Sequence, residues 1–239
     1  MAFPVTRHSV IAASASADPD ARRQAFAAIV EAYWKPVYKY TRLKWHVPAD
    51  EAEDLTQAFF ARAYEKTYFG AYDASRARFR TFLRTCLDGF IANERKAAGR
   101  LKRGGGALVV PLDFETAEGE LRHHDVAVPA DMEELFDREW ARSLFGLAVE
   151  RLRAHYAASG RQLYFRAFER YDLEASESGE RMTYAGLARE LGLRPTDVTN
   201  YLAAARRQFR AFVLERLREL TAGDEEFTAE AKRLLGVDV

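Results

Sequence analysis

Apolar residues recurring at spacings of three and four dominate this chain, and that period fixes what it can fold into. Between Ala21 and Lys44 the series is Phe26, Ile29, Val30, Tyr33, Val37 and Tyr40. Side chains so spaced line one face of an α-helix, whereas a strand would need alternation. Pro36 inside the run predicts a break or kink, because proline removes one helical hydrogen bond. The same period returns over Glu51 to Lys66 with Leu55, Phe59 and Ala63, joined by Phe60 and Tyr64. From Arg76 to Leu101 it is carried by Phe79, Phe82, Leu83, Cys86, Leu87, Phe90 and Ile91, with Ser75 a candidate helix cap. Further helices are expected at Met132 to Tyr156, Arg161 to Tyr171, Tyr184 to Leu191 and Thr196 to Leu220, with a short segment from Glu225. The expected fold class is therefore all-α.

Punctuation between the helices suggests two domains. "KRGGG" ends the helix before it, because three glycines are poor helix formers. The following stretch, Gly104 to Asp131, has Gly, Pro and acids with little periodicity and reads as an acidic linker. "LVVPLDF" within it could be extended, but Pro111 excludes a central strand. The expected organisation is an N-terminal extension (1–20), a helical domain (21–103), the linker (104–131), a second helical domain (132–222) and a tail (223–239). No repeat period is visible.

At 239 residues the chain has room for one large or two small domains. No apolar run approaches the roughly 18 to 20 residues of a membrane span. "VIAASASA" near the start is too short and too rich in Ala and Ser to suggest a signal peptide. The single cysteine, Cys86, excludes an internal disulfide and fits a reducing cytoplasm; its apolar helical setting predicts a buried structural thiol.

Net charge is formally zero, yet the charges are segregated. From Ser75 to Arg103, Arg76, Arg78, Arg80, Arg84, Arg95, Lys96, Arg100, Lys102 and Arg103 face only Asp88 and Glu94. From Gly104 to Trp140 the sign reverses, with Asp113, Glu115, Glu118, Glu120, Asp125, Asp131, Glu133, Glu134, Asp137 and Glu139 against Arg122 and Arg138. Arg189, Arg194, Arg206, Arg207, Arg210, Arg216 and Arg218 then make a second basic block. Such blocks point to charged macromolecular partners.

Two stretches carry a nucleic-acid reading. "TYAGLARELGLRPTDVTNYLAAARRQFRAF" contains a short helix, a glycine turn at Gly192 and a second helix with Pro195 at its first position. Leu187, Leu191, Val198 and Leu202 are placed to pack the pair, a helix-turn-helix arrangement. Thr196, Thr199 and Asn200 would then reach base edges, and Arg206, Arg207 and Arg210 phosphates; a plain helical hairpin is the alternative. In "RARFRTFLRTCLDGFIANERKAAGRLKR", arginines interleave with Phe79, Phe82 and Phe90, and Tyr68, Phe69 and Tyr72 precede them. Rings that stack on bases beside cations that hold phosphates suit single-stranded DNA, although aromatics at helical spacing are more often core. Catalytic groupings are weak. His8, His46, His123, His124 and His155 make no metal spacing, and "GGG" follows a helix rather than preceding one, so no enzyme or cofactor is expected.

Four carboxylates, Asp50, Glu51, Glu53 and Asp54, open the helix in "ADEAEDLTQAFFARAYEK". The helix dipole tolerates acids there, but it does not require four; a basic partner would use the surplus.

Taken in order, these stretches resemble bacterial RNA polymerase sigma factors of the extracytoplasmic-function group, over roughly Phe3 to Leu220. "EAEDLTQAFFARAYEK" resembles the acidic-start helix of the family's second region, and "FRTFLRTCLDGFIANERKAAGRLKRGGG" the helix and basic tail that open the promoter. "YAGLARELGLRPTDVTNYLAAARRQFR" resembles the helix-turn-helix of the fourth region. "FPVTRHS" and "LFDREWARSLF" fit a subgroup with a long acidic linker. The resemblance implies promoter-specific transcription initiation with core RNA polymerase as partner. Glu51, Glu53, Asp54, Gln57 and Phe60 would contact polymerase. Tyr72, Arg76, Arg78, Arg80, Phe82, Asn93, Arg95, Lys96, Arg100, Lys102 and Arg103 would capture single-stranded minus-ten DNA, with a base flipped near the Gly70 to Arg78 loop. Arg194, Thr196, Thr199, Asn200, Ala203, Arg206 and Arg207 would bind the minus-thirty-five duplex. The linker would follow polymerase's RNA path or serve only as a tether. An anti-sigma factor or kinase is a further expected partner; no membrane or small-molecule substrate is. Three features depart from the family: Asp88 on the DNA-facing helix, few cations at Thr199, Tyr201, Ala203 and Ala204, and a long segment from Leu152 to Glu180.

Overall fold

The computed structural model describes residues 10–98, 112–123, 131–174 and 182–237, and all regular structure among them is helical. Ten α-helices are numbered here among the described residues. They are α1 (Val10–Ala13), α2 (Pro19–Trp45), α3 (Ala49–Glu65), α4 (Phe79–Ala98), α5 (Phe114–His123), α6 (Met132–Ala158), α7 (Gln162–Phe168), α8 (Tyr184–Leu191), α9 (Pro195–Glu219) and α10 (Asp224–Leu235). Short 3-10 and π turns follow α3 and α7, at Tyr68–Ala71 and Glu169–Glu174.

Contacts divide the chain into two compact units: Met1–Ser143 with Leu217–Val239, and Leu144–Arg216. The division falls inside α6 and near the end of α9, not at the acidic stretch. The C-terminal tail belongs with the first unit.

In the first unit α2 is the central element. Its Phe26, Ile29, Val30, Tyr33, Val37 and Tyr40 are all buried, as the period requires. Asp18 caps it, accepting from the Asp20 backbone N–H at 3.0 Å, and Pro19 opens it. The helix continues through Pro36 to Trp45, so the expected break does not occur. Neighbouring helices pack Pro36 and its turn into the core, where tertiary burial outweighs one lost hydrogen bond. The rings of α2 meet Phe60 of α3, Phe79 of α4, and Phe136 and Trp140 of α6, and Phe59, Leu83, Leu87, Ile91 and Leu135 are buried with them. Tyr33 meets Phe79 edge-on at 5.6 Å and stacks on Trp140 at 6.3 Å. Ser75 does not cap α4. It closes a turn with Asp73 at 2.7 Å, and the helix starts only at Phe79.

The stretch read as linker contains α5. Phe114 and Ala117 are buried on it, and Asp113 caps it by accepting from Thr116 N–H at 3.0 Å. The apolar positions were few and diluted by Gly119 and acids, which hid the period. Ion pairs complete the docking on α2. Glu118 accepts from Arg42 at 2.7 and 3.0 Å and from the Tyr38 hydroxyl at 2.7 Å. Glu120 meets Lys35 and Lys39, each at 2.6 Å. Lys39 also reaches the buried Glu139 of α6 at 2.7 Å.

In the second unit Ala167, Leu187, Ala188, Val198 and Leu202 form one cluster, with Leu191 partly buried beside it. Thr183 caps α8 by accepting from Gly186 N–H at 3.0 Å. Gly192 ends it at φ +66°, a left-handed conformation that glycine adopts without strain. Pro195 then opens α9.

The Arg42 hydrogen bonds, opposed by burial and assisted by Tyr38, pull the Glu118 carboxyl from 4.5 to about 2. A depressed carboxyl stabilises the fold above its unfolded pKa, and that stability is lost as pH falls toward the folded value. Glu118→Gln should therefore lower stability at neutral pH by on the order of 2–3 kcal/mol. In urea unfolding the gap to wild type should close between pH 4.5 and about 2.

Candidate nucleic-acid interface

Two surfaces gather the sequence-predicted residues, one in each unit. In the first unit the last turns of α3, the Tyr68–Ala71 turn and the outer face of α4 enclose a groove of about 410 Å³. Tyr68, Phe82 and Phe90 supply its apolar walls, while Asn93, Lys66 and the Arg62–Glu94 ion pair at 3.7 Å supply polar groups. Phe82 is held from behind by Tyr72 at 5.5 Å. The Tyr72 hydroxyl donates to the Ala77 carbonyl at 3.0 Å, and burial together with nearby Glu226 pushes its pKa up to about 12. A neutral, anchored Tyr72 thus supports the groove instead of lining it. Cys86 also lines this groove and is only half-buried, so it is not the enclosed thiol its apolar helix suggested; burial still pushes its pKa up. Arg62 and Lys66 were not singled out in the sequence. They stand four apart at the end of α3 and its C-cap, a signal masked by the acids that open the helix.

The arginines of α4 and its approach separate sharply. Arg76 is exposed beside Asp73 at 3.2 Å. Arg78 is half-exposed and pairs with Glu230 at 3.0 Å. Arg80 is buried: its guanidinium lies 4.9 Å over the Trp140 ring, 2.6 Å from Asp137 and 2.8 Å from Glu230. Burial works against that charge, but the hydrogen bonds to Asp137 and Glu230 outweigh it and keep the pKa above its usual value. Arg80 is therefore a core ion pair in this structure and not a surface cation. Arg84 pairs with Glu133 at 2.8 Å. Arg95 donates to the Trp45 carbonyl at 2.6 Å and stacks on its ring at 4.8 Å, while Lys96 is exposed. Asp88, the acid that departs from the family pattern, accepts from Lys44 at 2.7 Å and from Tyr40 at 3.0 Å, so its charge is met locally. Arg100, Lys102 and Arg103 lie outside the described residues.

On α3, Glu51, Asp54 and Gln57 are exposed. Glu53 is half-buried and faces a second, acidic groove of about 730 Å³ shared with Asp113, Glu115 and Glu118. Phe60 is 4% exposed and packs edge-on against Phe59 and Phe26. It belongs to the core, because its place in the period faces α2.

In the second unit Thr196, Thr199, Asn200, Ala203 and Arg207 all lie exposed along α9. Thr199 donates to the Pro195 carbonyl at 3.2 Å, which leaves its oxygen free to accept. Arg194 is bound in a two-pronged pair with Asp197, both contacts 2.8 Å. Arg206 is likewise held by Asp172, at 2.7 and 2.8 Å, over the Tyr171 ring. Its side chain braces α9 against the turn after α7, so part of the long segment from Leu152 to Glu180 positions this helix. Tyr164 of α7 does the same by stacking on Tyr201 at 4.0 Å. Arg207 and Arg210 have no carboxylate partner among the described residues.

Among the described residues no group of His, Cys, Asp and Glu is placed to hold a metal ion, and no helix is long and apolar enough to cross a membrane.

This division of the arginines is measurable. Arg80→Ala should cost about 3–5 kcal/mol in urea unfolding, because it removes the buried cation that Asp137 and Glu230 share. Arg207→Ala should stay within about 0.5 kcal/mol of wild type. The chain matches no family model, no curated protein and no solved structure.

Proposed function

We propose that this chain is a sigma factor: it binds core RNA polymerase and directs it to particular promoters, without bond chemistry of its own. The observation that carries the reading is the groove at Tyr68, Phe82, Phe90 and Asn93. Aromatic walls can stack a base drawn out of the duplex, and the Asn93 amide can donate to and accept from its edge. Lys66, at the end of α3, lines the same groove and would hold a flanking phosphate. The cost of unstacking, a few kcal/mol per base, must be recovered by such contacts.

The α8–α9 pair supports duplex reading by a helix-turn-helix. A glycine turn, a shared apolar cluster and an outward row of Thr196, Thr199, Asn200 and Arg207 are what major-groove docking needs. Glu51, Asp54 and Gln57 on α3 give a basic polymerase element an exposed acidic edge. The two surfaces occur in the chain order that the family resemblance implies.

A second reading, a stand-alone DNA-binding regulator, is favoured by one observation. Among the described residues Arg207 and Arg210 of α9 have no carboxylate partner, whereas Arg80 and Arg84 of α4 are both paired. Association with core polymerase separates the two. Wild type should co-purify with core enzyme at moderate salt and start transcripts from a genome-derived promoter library. Glu53→Lys with Asp54→Lys should abolish that association while leaving helix content by circular dichroism nearly unchanged. Duplex binding without any core association would leave the regulator standing.

Each of Arg207→Ala and Arg210→Ala should reduce the slope of log K against log salt for duplex DNA by roughly 0.9. Arg206→Ala, whose charge is already matched by Asp172, should change the slope less.

A further inference from the structure

The C-terminal helix α10 places a carboxylate on the arginines of α4. Glu230 is 1% exposed. One of its oxygens meets Arg80 at 2.8 Å and Arg78 at 3.0 Å, and the other accepts from Arg233 at 2.9 Å. Glu226, one turn earlier, lies close enough to Tyr72 to disfavour its ionisation. Thus one face of α10 covers the entry to α4, beside the aromatic pair Tyr72 and Phe82.

The manner of attachment is informative. Only Glu230 and Ala231 of α10 are fully buried, so its apolar anchor is small and its ion pairs carry much of the hold. A carboxylate and a phosphate present the same pair of acceptor oxygens to a guanidinium. Arg78, half-exposed, has Glu230 as its carboxylate, and a strand phosphate fits the same place, while the buried Arg80 keeps Asp137 in either case. Arg218, at 2.6 Å from Asp224 and 4.3 Å from the Phe227 ring, ties the start of α10 to the end of α9. A released α10 would therefore stay tethered nearby.

We propose that α10 is an internal competitor for single-stranded DNA, with Glu230 standing in for a phosphate at Arg78 until a strand displaces it. The inference rests on the reading of α4 as a strand-binding face. In that state the chain masks Arg78, the cation at the approach to α4, while the groove at Phe82 stays open.

The test uses the full-length chain and a labelled single-stranded oligonucleotide of mixed sequence at low salt. Strand addition should speed amide hydrogen exchange across Asp224–Leu235 in the wild type. Glu230→Gln, which keeps size and hydrogen bonding but removes the charge, should bind the strand at least about fivefold more tightly, because less of it is masked. A strand that binds while exchange in α10 stays unchanged would overturn the proposal but leave the reading of α4 intact. A folded Glu230→Gln protein that binds no more tightly would overturn it too. Failure of both proteins to bind any strand would remove the strand-binding reading, and this proposal with it. The exchange measurement needs no substitution, so it decides the matter even where Glu230→Gln fails to fold.

Discussion

Burial of the Arg80 guanidinium against Trp140, Asp137 and Glu230 is the contact on which the first unit depends. A charge in that position is costly unless every face of it is matched. Three helices distant in sequence must converge to match it: α4 brings the cation, α6 the ring and one carboxylate, and α10 the other. The same logic repeats at Lys39, where α2 supplies the cation and α5 and α6 supply Glu120 and Glu139. Apolar periodicity determines which face of each helix turns inward. The ion pairs determine which helices meet there, since a misplaced neighbour would strand a buried charge.

Those pairings explain what the segregated charge means. Read along the chain, a basic block, an acidic block and a second basic block suggest surfaces waiting for partners. In the folded chain much of the acidic block answers the protein's own cations: Glu118, Glu120, Glu133, Asp137 and Glu139 meet Arg42, Lys35, Lys39, Arg84 and Arg80. Candidate partner contacts are the charges left after that internal matching. They are fewer than the sequence suggests, and they cluster: Lys66 at the groove, Arg207 and Arg210 along α9.

The helices of the core were legible in the sequence because burial demands a regular period, and Phe26 to Tyr40 or Phe79 to Ile91 state it without interruption. Helix α5 was not, since two buried residues and a cap give too little signal among acids. The continuity of α2 through Pro36 was hidden for a related reason: local propensity predicts a break or kink, and burial in the core overrides it. The polar part of the candidate site was half legible. Thr196, Thr199, Asn200 and Arg207 are exposed where the turn at Gly192 places them. Arg80, Arg206 and Phe60 look like contact residues in one dimension, because a sequence displays charge and aromaticity but not the partner across the core. Arg62 and Lys66 erred in the other direction, overlooked on a helix whose start is acidic.

A chain with no net charge gains nothing from long-range attraction to a polyanion, and beyond about 8 Å at physiological salt exposed charges are screened anyway. Any recognition of DNA by this chain must then be local, through a few unpaired cations beside groups that fit a base or a groove edge. Such a chain would bind non-specific DNA weakly and rely on a second partner to bring it to the template. Strong intrinsic affinity would be a disadvantage for a factor that must be delivered, because the genome would sequester it. If the chain is the sigma factor proposed above, the internal matching of Arg78, Arg80, Arg84 and Arg206 serves that function as well as the fold. It lowers the basal attraction to DNA while the groove, the α9 edge and the acidic rim of α3 remain available.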